Sequence, residues 1–312
     1  MSKKKMRSEV EVISSVQSDR RNFIKGAGIA LSATALASFA PSANAVSTPS
    51  SPQVANLSDP NSILNKILST KKIKFGVDLT FAPLQYKDAK GNPTGYIIEL
   101  AKSLASSLGA TPEWVEIPFG SLFAAQAAGK FDMSGIAATI RPARAQQVLF
   151  SGAPAFVESN VVLLAPNSKI RRLSQLNSSA VTIAVVVGSS QEAAAVLRYP
   201  KAKLKRLDNQ AALADVSAGR SDAMIVGEFS VADAVKANSG LKPLKAGAIF
   251  VDENSFFMPA GDYDMKNYVD TWLRYETSHN TLAGLWDNYV GDDARKLGLQ
   301  SISLSSPWAK GK

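Results

Sequence analysis

The chain has 312 residues, 46% of them hydrophobic, and carries 35 Lys and Arg against 26 Asp and Glu, a formal net charge of +9. It has no cysteine, which excludes disulfides and a lipid-anchored N-terminal cysteine. The basic residues are scattered and not interleaved with aromatics along a stripe, so nothing in the charge argues for nucleic acid.

Residues 1–45 read as a targeting segment. A basic start (Lys3, Lys4, Lys5, Arg7) is followed by Arg20-Arg21-Asn22-Phe23-Ile24-Lys25, an apolar run over 26–40, and Ala43-Asn44-Ala45. Small residues three and one before the cut suit signal peptidase, which places cleavage after Ala45. The paired arginines resemble a twin-arginine export signal, and the apolar run is shorter than the ~20 residues needed to span a bilayer. The segment holds seven basic and three acidic residues, so its removal leaves a mildly basic +5.

Residues 46–70 are expected to form a flexible leader, rich in Ser, Pro and Asn to about 59, with a short helix over 62–68. Ile73 to Val77 alternates as a strand should. Asp88-Ala89-Lys90-Gly91-Asn92 has the composition of a hairpin turn. Leu100, Leu104 and Leu108 share one helical face, which Gly109 ends. Residues 114–117 are the next strand. Residues 122–128 form a short apolar helix stopped by Gly129, and 132–138 fit a single buried strand. Thr139-Ile140-Arg141-Pro142-Ala143-Arg144 is then a strand-to-helix turn, with proline in its first turn and Arg144 just inside it. Outward amides beside an arginine fork suit a carboxylate; the alternative is a surface arginine.

Residues 156–160 are the candidate first crossover between two lobes, and 249–254 the return. Ala218-Gly219-Arg220-Ser221-Asp222 echoes Ala128-Gly129-Lys130-Phe131-Asp132, each after an alanine-rich helix pattern and before an apolar strand. Residues 181–187 are a buried strand that Gly188-Ser189-Ser190-Gln191-Glu192 closes while opening a helix. Glycine there lets backbone approach a ligand, and helix N-terminal amides favour an anion; ordinary capping by Ser190 is the alternative. Residues 265–278 and 280–290 are closing helices, with Trp272, Leu285, Trp286 and Tyr289 as core candidates.

Gly129-Lys130-Phe131-Asp132, followed by the run from Thr139-Ile140-Arg141-Pro142-Ala143-Arg144 through Val148-Leu149-Phe150-Ser151, resembles the family 3 extracellular solute-binding proteins. These are periplasmic receptors of amino-acid ABC transporters. Asp78-Leu79-Thr80-Phe81-Ala82-Pro83 is similar to a second stretch of that family. The resemblance covers roughly residues 71–291. It implies an α/β, two-lobed periplasmic-binding-protein fold, each lobe a mostly parallel sheet flanked by helices, with the ligand cleft between lobes. The implied division is residues 71–158 and 251–291 for lobe 1, 159–250 for lobe 2, and a C-terminal extension at 292–312 without a functional account.

By the same resemblance Arg144 grips the ligand carboxylate and Thr139 adds a hydrogen bond. Asp78 lines the pocket and Phe81 stacks on the ligand, although core filling explains Phe81 as well. Ser189 and Ser190, with Gln191 beside them, offer amides and hydroxyls to the carboxylate. The main departure is Gly227, where amino-acid receptors of the family place an aspartate for the ligand ammonium. Glu228 is the candidate substitute, in a position that points it differently along a strand.

The expected function is a periplasmic receptor for a small carboxylate-bearing solute, an amino acid or amino-acid-like compound, delivered to a membrane ABC permease by a monomeric protein. No cofactor, metal or catalytic residue is expected. His279 lies far in sequence from the pocket motifs, which argues against a Ser-His-Asp site. The competing class is an enzyme on the same fold, similar to cyclohexadienyl dehydratases acting on prephenate or arogenate, with Glu228 or Asp78 as the acid.

Overall fold

A computed structural model describes residues 59–291. The targeting segment, most of the leader and the extension after 291 lie outside the described residues. The fold begins with helix α1 (Ile63–Thr70), whose N-cap Ser62 accepts from the Leu64 amide. Strand β1 (Lys72–Val77) then enters the first sheet.

A small antiparallel meander follows, made of β2 (Thr80–Phe81), β3 (Gln85–Lys87) and β4 (Pro93–Thr94). Its turn is held by Asp88, whose carboxylate accepts from the amides of Lys90 and Asn92. Helix α2 (Tyr96–Ser107) lacks a side-chain cap at Gly95 and buries Leu100 and Leu104. Strand β5 (Thr111–Glu116) pairs parallel with β1, and β6 (Met133–Ser134) pairs parallel on the other side, giving the order β5-β1-β6. Helix α3 (Leu122–Ala127) lies between β5 and β6 in sequence.

The expected single strand over 132–138 is two short ones. Gly135 donates its amide to Gly76, and a Cβ there would meet Phe75 Cβ and Val77 Cγ1 at 2.8 Å. The chain leaves the first sheet after β6. It re-enters regular structure as β7 (Ala138–Thr139), paired with β14 (Phe250–Ser255) in a different sheet. Hydrophobic content cannot register such a change of sheet, because both pieces are equally buried.

Helix α4 (Pro142–Ala145) is a single turn, followed by β8 (Val148–Phe150), which pairs with β15 (Phe257–Pro259). The long strand β9 (Phe156–Leu164) runs antiparallel to β14, with Phe250 opposite Asn160 and Asn254 opposite Phe156. β9 also pairs with β12 (Ala223–Gly227) and β13 (Lys242–Pro243). Beyond β12 lie β10 (Thr182–Val186) and β11 (Lys203–Leu207), both parallel, so the large sheet reads β11-β10-β12-β9-β14-β7. Helices α5 (Ser190–Arg198), α6 (Asn209–Ser217) and α7 (Val231–Ala237) belong to this half.

Three apolar clusters divide the molecule into two lobes. One gathers Phe75, Ile98, Met133, Phe156, Phe256, Trp272 and Trp286. Alternation along the strands splits the second lobe's core between the faces of its sheet: Leu163, Val186 and Met224 on one, Leu164, Val185 and Ile225 on the other. The closing helices α8 (Tyr263–Ser278) and α9 (Thr281–Trp286) return to the first cluster.

The short repeat has a physical basis. Gly129 and Gly219 both take positive φ, at 66° and 70°. Three residues on, Asp132 accepts from the Lys74 amide at 2.7 Å, and Asp222 accepts from the Thr182 amide at 2.8 Å. Each carboxylate ties a helix-to-strand turn to the neighbouring parallel strand, once per lobe.

Candidate functional site

A cavity between the lobes is lined by Phe81, Gln85, Phe119, Thr139, Arg144, Glu158, Ser189, Ser190, Gln191, Asn209, Gly227, Phe229 and Asn254, among others. Arg144 is its most constrained group. Only 3% exposed, it sits in the single turn of α4 and is not the surface arginine of the alternative reading. Its guanidinium lies over the Phe119 and Phe123 rings, with Cζ 5.4 and 4.8 Å from their centroids. One terminal nitrogen donates to the Thr139 carbonyl at 2.9 Å, and the other crosses to the Gly188 carbonyl at 3.0 Å. Its Nε has no partner. Burial, then the charge of Arg141, brings the guanidinium down to about 9, so it stays cationic at neutral pH.

The opposite wall is built by the start of α5. Ser189 caps the helix, accepting from the Glu192 amide at 3.0 Å, while Gly188 (φ 75°) closes the turn from β10. Ser190 Oγ lies 3.2 Å from Thr139 Oγ1 across the cleft. Gln191 turns inward, donating to Glu158 at 3.0 Å and to Asn160 at 2.6 Å.

Six of the sequence candidates therefore line one cavity: Phe81, Thr139, Arg144, Ser189, Ser190 and Gln191. Two are placed elsewhere. The Asp78 carboxylate accepts from Thr80 Oγ1 (2.6 Å) and the Thr80 amide on one oxygen, and from the Phe119 amide (2.8 Å) on the other. It holds the strand end that carries Phe81, and burial raises its pKa. The Glu228 side chain is buried but outside the lining; its neighbours Gly227 and Phe229 face the cavity instead. Desolvation pushes Glu228 up to about 7, against bonds from the Ser159 hydroxyl and amide.

Sequence reading missed Glu158, Gln85, Asn209 and Asn254. Glu158 is the most unusual: 5% exposed, on β9 directly opposite Asp252 of β14. Desolvation, then the Asp252 carboxylate, pushes it up to about 8, with Glu228 adding to the rise and Arg144 and the Asn254 bond opposing it. Nothing in the one-dimensional pattern marks it, since its burial depends on which strands flank β9. Among the described residues no cluster of three or more His, Asp or Glu is arranged to hold a metal.

A two-lobed α/β molecule with a buried arginine on the wall of its interlobe cavity has the architecture of extracellular solute receptors. The model of the bacterial extracellular solute-binding proteins, family 3, matches residues 73–292, and the chain belongs to that family. The histidine-binding periplasmic protein of Salmonella typhimurium is 27% identical over 60% of this chain and 72% of that protein. The cyclohexadienyl dehydratase of Pseudomonas aeruginosa is 26% identical over 70% of this chain and 82% of that enzyme. An ancestral amino acid-binding protein, a precursor of cyclohexadienyl dehydratase, superposes with a TM-score of 0.68 at 30% identity, covering 73% of this chain and all of that one.

Proposed function

We propose that this chain is the periplasmic receptor of an ABC transporter. It binds a small carboxylate-bearing solute, an amino acid or amino-acid-like compound, and delivers it to a membrane permease. The observation that carries the reading is Arg144: a buried cation resting on two phenylalanine rings, with a buried and unpaired Nε, on the wall of a cavity that both lobes line. Relatives that bind histidine or lysine, arginine and ornithine in the periplasm support the same class of ligand. Export through residues 1–45 with cleavage after Ala45, and action as a monomer, complete the proposal. No helix among the described residues is long and apolar enough to cross a membrane.

Thermal-shift screening of the mature protein against amino acids and small organic acids tests this. A ligand bound only by the folded state raises the melting temperature by mass action. Failure of every carboxylate to do so would refute it. A dehydratase is the second reading, favoured by the Pseudomonas relative and by a buried carboxyl of raised pKa, Glu158, on the cavity wall. Turnover of prephenate or arogenate would support the enzyme; saturable binding without turnover supports the receptor.

A further inference from the structure

Gly227 lacks a side chain, and the structure shows what occupies the space. A Cβ at Gly227 would stand inside van der Waals contact of Glu158 Oε1 and of the Phe229 ring. The absence of a side chain on β12 is thus the room in which the β9 carboxylate lies. Gln191 Nε2 donates to one Glu158 oxygen at 3.0 Å, and Asn254 Nδ2 donates to the other at 3.3 Å. Both are neutral amides. The charged groups around it are Asp252, Glu228 and Arg144, so Arg144 is the one cation among those that act on it. Each terminal nitrogen of Arg144 directs one N–H at a carbonyl, that of Thr139 or of Gly188, rather than at Glu158. The cavity wall carries another acceptor without a donor, the buried Gln85 Oε1.

The cavity therefore holds one buried carboxyl set for a cation and one buried cation set for an anion. We propose that Glu158, seated over Gly227, is the residue that selects the ligand: it takes a cationic amino group, so the solute that fits is a zwitterion carrying an ammonium as well as a carboxylate. The proposal rests on the receptor reading and adds to it which residue reads the amino group. It also explains how a glycine stands at the β12 position: the anchoring carboxylate comes from the adjacent strand β9. Burial and the Asp252 carboxylate favour the neutral form of this acid, and an arriving ammonium favours its ionised form, so binding is expected to release a proton.

The test is calorimetric titration of the parent, Glu158→Gln and Gly227→Ala with the twenty L-amino acids. For each binder, the matching carboxylate with hydrogen in place of the amino group is titrated too. The parent should bind an amino acid at least about tenfold tighter than its des-amino partner, about 1.4 kcal/mol. At pH 6.5 its enthalpy should vary with the ionisation enthalpy of the buffer, reporting release of about one proton. Glu158→Gln, nearly isosteric, should lose both the preference and the proton release. Gly227→Ala, which keeps the carboxyl but displaces it, should lose the preference as well. The melting curve of each variant without ligand shows that it is folded. A parent that binds des-amino carboxylates as tightly as amino acids would overturn the proposal and leave the receptor reading standing. So would a Glu158→Gln variant that keeps the parental preference. A parent that binds no carboxylate of either kind would overturn the receptor reading and this proposal together.

Discussion

At the scale of single residues, Arg144 is held in a fixed position on the cavity wall. Two aromatic rings and two carbonyls fix the plane of its fork, and the unpaired Nε leaves a donor. Arg144→Lys keeps the charge but loses the bidentate fork and the stacking, so it should weaken binding. Arg144→Ala should cost on the order of 2–5 kcal/mol, because the ligand carboxylate is left poorly paired in a desolvated cleft. That is roughly 30-fold or more in dissociation constant. Arg141, three residues earlier, is the internal control, and Arg141→Ala should cost much less. Calorimetry on both variants, once each is shown to melt like the parent, reads the difference. The buried acids make a second prediction. Glu158 and Glu228 are raised to about 8 and about 7, so the folded state holds protons that the unfolded chain gives up near the ordinary carboxylate range. Their contribution to stability is complete at pH 4 and is lost as pH rises through 7 and 8. The unliganded melting temperature should fall over that window, and Glu158→Gln should flatten the fall. A slope unchanged by the substitution would place the titration elsewhere.

At the scale of elements, a few carboxylates tie distant segments. Asp262 caps α8, accepting from the Met265 amide at 3.0 Å, and also accepts from Ser62 Oγ at 2.7 Å and the Ile63 amide at 2.8 Å. One side chain thus closes the start of α1 onto the start of α8, across 200 residues of sequence. Asp262→Ala removes a cap and leaves buried donors unpaired, a loss of about 1–3 kcal/mol that should lower the melting temperature by several degrees. Elements whose signals are local were legible in the sequence: the short helix near 62–68, the Asp88 turn, the leucine face of α2, the glycine stop at 129 and its echo at 219. The Thr139–Arg144 turn was legible for the same reason, since proline and spacing specify it. What depends on strand neighbours was not. The change of sheet at Gly135 is set by contact with Phe75 and Val77. Glu158 reads as a polar residue in an apolar strand until β14 and β12 flank it. Asp78 reads as a pocket group because its position resembles one, while its oxygens go to the Thr80 and Phe119 amides.

At the scale of the molecule, the lobes meet through a small set of polar links. Arg144 reaches the Gly188 carbonyl, Thr139 meets Ser190, and Asn209 Nδ2 of α6 donates to the Thr80 carbonyl at 2.6 Å. Gly188 and Gly120 approach closely enough that a Cβ on Gly188 would lie 3.4 Å from the Gly120 Cα. These contacts hold the lobes together, and a ligand bound by both lobes would favour this arrangement by its differential affinity for it. Asn209→Ala removes one closing bond, worth about 1 kcal/mol. It should weaken ligand binding by about fivefold, as competition titrations would show.

The most direct test of the receptor account is one titration of the mature protein with its best-binding carboxylate, followed by recovery of that compound from the complex. The account predicts a single saturable site, a ligand recovered chemically unchanged, and loss of the binding in Arg144→Ala. Recovery of a product in place of the ligand, or undiminished binding by Arg144→Ala, would contradict it.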